Sequence, residues 1–254
     1  MEVEPHTTTG ASVEQSETGW RLQIPAGGSS TYRLAQLDDY TARRRSGFPW
    51  AAAATLSLRA RVSSNSIPGT WGFGLWNDPF SAFIGLGGMK RPLPVLPNAA
   101  WFFHASSENY LSFRDDKPAN GLLAATFHSP VIPSMFLIPS LVFAPLLLFK
   151  PSARWLRTRF SRIIIEDGCP VDIDVTRWHD YLLRREMEAV KFEINGQSIF
   201  TTTVAPLGPL GLVIWVDNQY AAFMPSGQIR AGVVENQIPA WMEIDNLTVQ
   251  TLNL

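Results

Sequence analysis

The chain has 254 residues, 46% hydrophobic, 11% aromatic and only 17% charged, a length that suits one large domain and a charged share below the roughly 25% of an average soluble domain. Twenty-one basic and twenty-two acidic residues leave a net charge of −1, which excludes a generally basic nucleic-acid binder. Nineteen prolines and eighteen glycines argue against a helical bundle, and the single cysteine, Cys169, excludes a disulfide framework and any multi-cysteine metal site.

Residues 1–18 are polar and rich in Thr and Ser, so they are expected to be loosely ordered. They carry neither a basic n-region nor an apolar h-region, which with the lone cysteine points to a cytoplasmic protein. Residues 19–254 read as one domain. Trp20–Pro25 alternates as a strand, and Ala54–Val62 alternates cleanly, with Leu56, Leu58 and Ala60 opposite Ser57, Arg59 and Arg61. Thr70–Trp76 is a strand whose two glycines allow a neighbour or ligand to approach closely. Residues 89–99 are proline-rich and read as a loop. Trp101–Ala105, Asn109–Arg114 and Leu122–His128 are three further strands, with a hairpin turn at 115–121.

Ser129–Phe149 is then twenty-one residues without a charge. Length alone suggests a membrane helix, but Pro130, Pro133, Pro139 and Pro145 argue against a regular one. Lys150, Arg154, Arg157, Arg159 and Arg162 follow with no acid before Glu166. An apolar stretch followed by a basic one is a pattern of interfacial anchors. The 129–165 insert therefore has three open destinations: a lid packed on the domain, a peripheral membrane contact, or a homodimer interface. Within it Ser152–Arg162 is the best helix candidate.

The β pattern resumes at Val171–Val175, His179–Arg185, Val190–Asn195 and Ser198–Val204, with a strong hairpin signal at Asn195-Gly196. Gly211–Tyr220, Ile229–Val234 and Trp241–Thr251 complete about a dozen strands at sandwich spacing.

Trp178–Gln197, WHDYLLRREMEAVKFEINGQ, resembles a stretch of the concanavalin A-like superfamily, especially family 16 glycoside hydrolases and laminin-G-like domains. His179, Tyr181, Val190 and Phe192 match, and Asn195-Gly196-Gln197 stands for the family's Asp-Gly-Gln turn. Arg185 replaces a usual Trp. Trp241–Val249 is similar to the closing strand of such domains. The resemblance implies an all-β jelly-roll sandwich of two antiparallel sheets, one concave and able to hold a ligand. Those hydrolases carry Glu-x-Asp-x-Glu or Glu-x-Asp-x-x-Glu on a concave strand, which aims two carboxylates at one glycosidic bond. The counterpart here begins at Glu108, but Tyr110 replaces the middle Asp and no second Glu follows.

Period-two alternation groups side chains that share a face. Glu108, Tyr110, Ser112 and Arg114 fall together, as do Thr126 and His128, and Trp215, Asp217 and Gln219. Placed on one concave sheet they form a cleft that Trp76, Asp78 and His104 join from adjacent strands. Glu108, His104, His128 and Asp78 are the acid/base candidates; Trp76, Tyr110, Arg114, Trp215 and Asp217 are the ligand-binding ones. No phosphate loop, nucleophile elbow or zinc spacing occurs, so neither metal nor cofactor is expected. The run Gly85-Leu86-Gly87-Gly88 is only a weak dinucleotide signal. The expected activity is binding or acid/base transformation of an amphipathic small molecule under the insert. The alternatives are a lectin-like glycan-binding module or a divergent glycoside hydrolase.

Overall fold

A computed structural model describes residues 2–8, 10–51, 53–79, 95–137 and 145–252. The glycine run at 85–88 and residues 138–144 of the apolar insert lie outside the described residues. In chain order the elements are β1 (Glu4–Thr7), β2 (Ser12–Gln15), β3 (Gly19–Ile24), β4 (Leu34–Asp38), β5 (Ala54–Val62), β6 (Thr70–Trp76), β7 (Ala99–Ala105) and β8 (Gly121–His128). Helix α1 (Lys150–Ile163) follows. Then come β9 (Ile165–Pro170), β10 (His179–Arg185), β11 (Val190–Ile194), β12 (Gln197–Thr202), β13 (Gly211–Asp217), β14 (Gln219–Phe223), β15 (Ile229–Val233) and β16 (Ala240–Thr251).

Two seven-stranded sheets stack face to face, the all-β sandwich of two antiparallel sheets that was expected. The first has the order β1-β4-β13-β6-β7-β8-β9 and the second β12-β11-β10-β5-β16-β3-β2. Every pairing within them is antiparallel. The chain crosses between sheets at almost every early turn, so half of the sheet neighbours are not sequence neighbours.

Between the sheets lies one apolar layer. Trp71, Phe73 and Leu75 of β6 and Phe102 of β7 meet Leu56, Leu58, Tyr181, Leu183 and Phe192 from the second sheet. The Phe73 and Tyr181 rings are 5.0 Å apart, and Phe102 and Phe192 5.1 Å apart, both edge to face. Truncating such a ring costs about 3–5 kcal/mol, so this layer holds the sandwich together. Tyr181 belongs to it, and burial drives its hydroxyl far above the ordinary range. Arg185, where the family places a Trp, is buried at its edge and donates to the carbonyls of Trp50, Pro206 and Gly208.

Five local readings change. The polar start of the chain is paired rather than loose: β1 adds to β4, and β2 to β3. Backbone ladder bonds at sheet edges order it without an apolar run. Leu34–Asp38, unread in the sequence, is buried on both faces and therefore shows no alternation. Residues 109–114 are not a sheet strand. The Asn109 side chain accepts from Ala221 N–H, Tyr110 bridges the β14–β15 hairpin, and Leu111 N–H donates to Ala119 O. The segment thus folds as a loop over the first sheet. Finally β9 ends where the strand at 171–175 was expected, because its register against β8 runs from His128↔Ile165 to Leu123↔Pro170. The expected strand 211–220 is two strands, broken at Asn218. Its buried amide receives Arg33 N–H and donates to the carbonyls of Thr31 and Val234.

Candidate functional site

The outer face of the first sheet can be built rung by rung from strand register. One rung reads His6, Gln36, Trp215, Gly72, Phe103, Leu123. The next reads Asp38, Val213, Gly74, Trp101, Ala125. On one flank lies the rung Gly211, Trp76, Ala99, Phe127, and on the other Asp217, Thr70, Ala105. Gly72 and Gly74 sit where any side chain would strike the neighbouring aromatic strand. A β-carbon at Gly72 would stand 2.8 Å from Phe103 Cβ, and one at Gly74 would overlap Trp101 Cβ. The close approach that the two glycines signalled is therefore made by the backbone and β-carbons of β7 at Phe103 and Trp101. Trp76 and Trp215 lie parallel at 6.2 Å, and Trp101 tilts against both, at 5.9 and 5.8 Å.

Trp76 and Trp101 are buried, whereas Trp215 is partly exposed. The Trp215 indole N–H donates to Thr70 Oγ1 at 2.8 Å, and Thr70 Oγ1 donates to Asp217 Oδ1 at 2.8 Å. Asp217 also receives Thr70 N–H and Gln219 N–H. Burial pushes the Asp217 carboxyl up to about 6 against those hydrogen bonds. Through Thr70 it fixes the ring.

Beside Trp215 lies a polar flank that sequence reasoning missed. Gln36 Nε2 donates to Asp38 Oδ2 at 2.8 Å, and His6 Nε2 stands 3.2 Å from the same oxygen. The other Asp38 oxygen caps the following turn through Tyr40 N–H and Thr41 N–H. Burial alone would raise this carboxyl, but the contacts from His6 and Gln36 outweigh it and hold it below the ordinary range. Asp38 is fully buried while His6 keeps 31% of its side chain exposed, so the histidine is the group a ligand can reach. The only sequence signal was the Gln36-x-Asp38 spacing, which places both on one strand face.

The sequence-predicted residues scatter. Trp76, Trp215 and Asp217 do share the outer face. His104 does not: it stacks on Trp71 at 5.7 Å on the inter-sheet side, and burial lowers its pKa to about 4. His128 also shares its side with the core residues Leu122 and Ala124, and its Nδ1 lies 2.6 Å from Ala205 O. The reason is that Leu123, Ala125 and Phe127, expected inside, cover the outer face. Both sides of β8 are apolar, so alternation could group its residues but not choose a side. His104 and His128 are also six rungs apart, about 20 Å. Asp78 is buried just beyond β6 with φ +53°, its carbonyl receiving Arg45 Nη2 at 2.7 Å. Glu108 is exposed in the loop after β7, where the Ser106 hydroxyl lowers its carboxyl pKa. Tyr110 and Arg114 belong to the same loop: Arg157 lies over the Tyr110 ring at 5.5 Å, and Arg114 pairs with Asp116 at 2.6 Å. The four acid/base candidates are therefore split between two ends of the sheet and are not convergent.

The 106–120 loop covers the β8–β9 end of the outer face. Glu166 is buried beneath it and accepts Ser112 Oγ at 2.6 Å and Arg114 N–H at 2.7 Å. Burial raises its carboxyl despite these bonds. The recess there holds about 20 Å³, room for one water. A shallow groove of about 230 Å³ on the second sheet is lined by Ser57, Arg59, Asp180, Leu182 and Glu193 among others. Neither recess encloses the 300 Å³ or more, roughly, of a small-molecule pocket. Among the described residues no group of three or more His, Cys, Asp or Glu is placed to hold a metal, and no helix is long and apolar enough to cross a membrane.

No protein-family profile and no curated protein matches the chain. Solved structures do. The chain is 13% identical to the carbohydrate recognition domain of Emp47p, covering 97% of this chain and 88% of that one at a TM-score of 0.48. It is 10% identical to a legume lectin-like domain from Entamoeba histolytica, with 99% and 90% coverage and a TM-score of 0.47. It is also 10% identical to alginate lyase A1-II′, a member of polysaccharide lyase family-7, with 98% and 86% coverage and a TM-score of 0.47. Against a sialidase it covers 99% of its own length but only 17% of that chain, at 7% identity and a TM-score of 0.45.

Proposed function

We propose that the protein is a non-catalytic carbohydrate-binding module whose site is the outer face of the first sheet around Trp215. One observation carries this reading: a partly exposed indole, locked by Thr70 and Asp217, shares a rung with the partly exposed His6, which the buried Gln36 and Asp38 hold in place. A sugar has an apolar face of C–H groups and a rim of hydroxyls. The indole suits the first, and the His6 imidazole, two strands away on the same rung, suits the second. A single partly exposed ring at the uncovered edge of the face needs no enclosed cavity. The dispersed acid/base candidates and the absent second carboxylate favour binding over hydrolysis.

The test is a titration of intrinsic tryptophan fluorescence in the full chain with neutral and acidic oligosaccharides chosen from a glycan array. Saturable binding is expected, weakened up to about tenfold in Trp215→Phe, with the unfolding midpoint of the variant measured alongside. His6→Ala should weaken it less. Absence of binding to every glycan on the array overturns the reading, as does undiminished binding by Trp215→Phe.

A further inference from the structure

Nine of the exposed large hydrophobic residues found among the described residues fall between Val131 and Ile165; only Met187, Leu207, Ile229 and Ile238 lie elsewhere. The three most exposed next to the helix are Leu148 at 83%, Phe149 at 62% and Trp155 at 56%. Local geometry explains why they cannot turn inward. Helix α1 is anchored by one stripe: Ala153 is buried, Phe160 packs on Phe113 at 6.1 Å, and Ile164 closes the next turn in the outer-face cluster. Arg157, on the same stripe, donates to Phe223 O at 3.0 Å and Ser112 O at 3.1 Å and pairs with Asp115. With that stripe docked, Arg154, Trp155, Arg159 and Arg162 face solvent, and Leu148 and Phe149 project at the helix start.

Charge separates along the same line. Residues 129–165 hold five basic residues and no acid. The remainder of the chain then has sixteen basic against twenty-two acidic residues, a net −6. Arg157 is occupied internally, which leaves Lys150, Arg154, Arg159 and Arg162 exposed on a helix without a counter-charge of its own. Arg159 lies over the Trp155 ring at 5.1 Å, a pairing that holds indole and guanidinium on one surface.

We infer that α1 and the residues leading into it form a docking surface for an anionic lipid bilayer. Leu148, Phe149 and Trp155 would enter the headgroup–acyl boundary while the four cations meet lipid phosphates. The acidic remainder of the molecule would be repelled, which orients the sheets away from the membrane. An apolar patch made for a second protein copy would not need uncompensated cations, since two copies would bring like charges together. This inference is independent of the glycan site, because neither the three apolar residues nor the four cations touch Trp215, His6 or their partners.

The experiment is flotation of the full chain with vesicles of phosphatidylcholine alone and of equal parts phosphatidylcholine and phosphatidylglycerol. Binding is expected to the mixed vesicles only and to fall as salt rises. Each exposed cation near the surface is worth roughly fivefold, so Arg154→Gln/Arg159→Gln/Arg162→Gln should bind roughly a hundredfold more weakly. These side chains are exposed, and circular dichroism verifies that the variant remains folded. Leu148→Ser/Phe149→Ser should lose binding with all cations in place. Failure to float with the mixed vesicles overturns the inference, as does equal binding by the triple variant. It is also overturned if sedimentation shows a dimer that Leu148→Ser/Phe149→Ser dissociates, since the occupant is then a second copy.

Discussion

The outer faces of the two sheets are built on opposite plans. The second sheet turns Ser57, Arg59 and Arg61 of β5 to water, and its tryptophans are sandwiched among cations. Arg21 lies 4.4 Å from the Trp241 ring centre, Arg61 lies 5.7 Å from it and 5.0 Å from Trp178, and Arg59 lies 5.4 Å from Trp178. Glu243 ties the row together by accepting Arg21 and Arg61, at 2.6 and 2.7 Å. The first sheet turns Trp76, Trp101, Phe103 and Phe127 outward and covers them with a loop and a helix. Its indoles pack on one another, beside a strand whose two glycines let β7 approach closely. The same residue type thus performs two tasks: on the covered face tryptophan is core, and on the wet face it is the apolar body of an ionic surface. Composition cannot distinguish them; only the identity of the neighbours does.

The most severe way to break this contrast is one truncation on each face. Trp101→Ala should cost about 3–5 kcal/mol, the range for a buried aromatic ring. Trp178→Ala, at a half-buried ring flanked by Arg59 and Arg61, should cost less, about 1 kcal/mol. Urea denaturation of both variants compares them directly, and equal costs would mean that the first face is not a core.

A smaller effect tests the glycine floor. Gly74→Ala forces a β-carbon onto Trp101 and the Ala100 carbonyl and should cost about 1–3 kcal/mol by overpacking. Gly168→Ala, on the same rung, has its nearest neighbours at 3.1 Å and should cost less. The reverse order in thermal or urea unfolding would contradict the packing described.

The buried titrating groups sharpen the contrast by pH. Asp217 and Asp39 are raised to about 6, so each contributes stability that is present below the unfolded carboxylate value near 4 and lost as pH rises to about 6. His104 is lowered to about 4. Its unfolded form takes a proton that the folded form refuses between about 6.5 and 4, so stability falls as pH falls through that window. The slopes oppose one another in the wild type. Removing His104 with His104→Phe should leave stability declining from pH 4 to 6. Asp217→Asn should flatten the profile between pH 4 and 6, because Asp39 and His104 then nearly cancel. Identical pH profiles for wild type and both variants, from urea midpoints across pH 4–7, would contradict these burials.

The smallest effect lies on the wet face. Arg61→Gln removes guanidinium contacts with two indoles and with Glu243. It should cost about 0.5–1 kcal/mol, an amount that shrinks as salt is added. A larger, salt-independent loss would make this row a buried feature after all.

The legibility of each region follows from solvent. On β5, β10 and β11 one side meets water, so polar and apolar residues alternate, and the strand bounds of β5 and β10 were readable to the residue. α1 was readable too, because one stripe packs and the rest is exposed; its unexpected member is Arg157, a cation whose hydrogen bonds allow it to sit with Ala153 and Phe160. Strands β4, β6, β7 and β8 are buried on both faces. There the alternating signal vanishes, and it could not say that Leu123 and Phe127 look outward while His104 and His128 look in. By itself the sequence determined an all-β sandwich, a charged apolar insert and a tryptophan face near Trp76 and Trp215. The tertiary structure alone decided what stands beside Trp215. His6, Gln36 and Thr70 come from three strands distant in the chain, and only antiparallel register, set by the packing of both sheets, brings them to one indole.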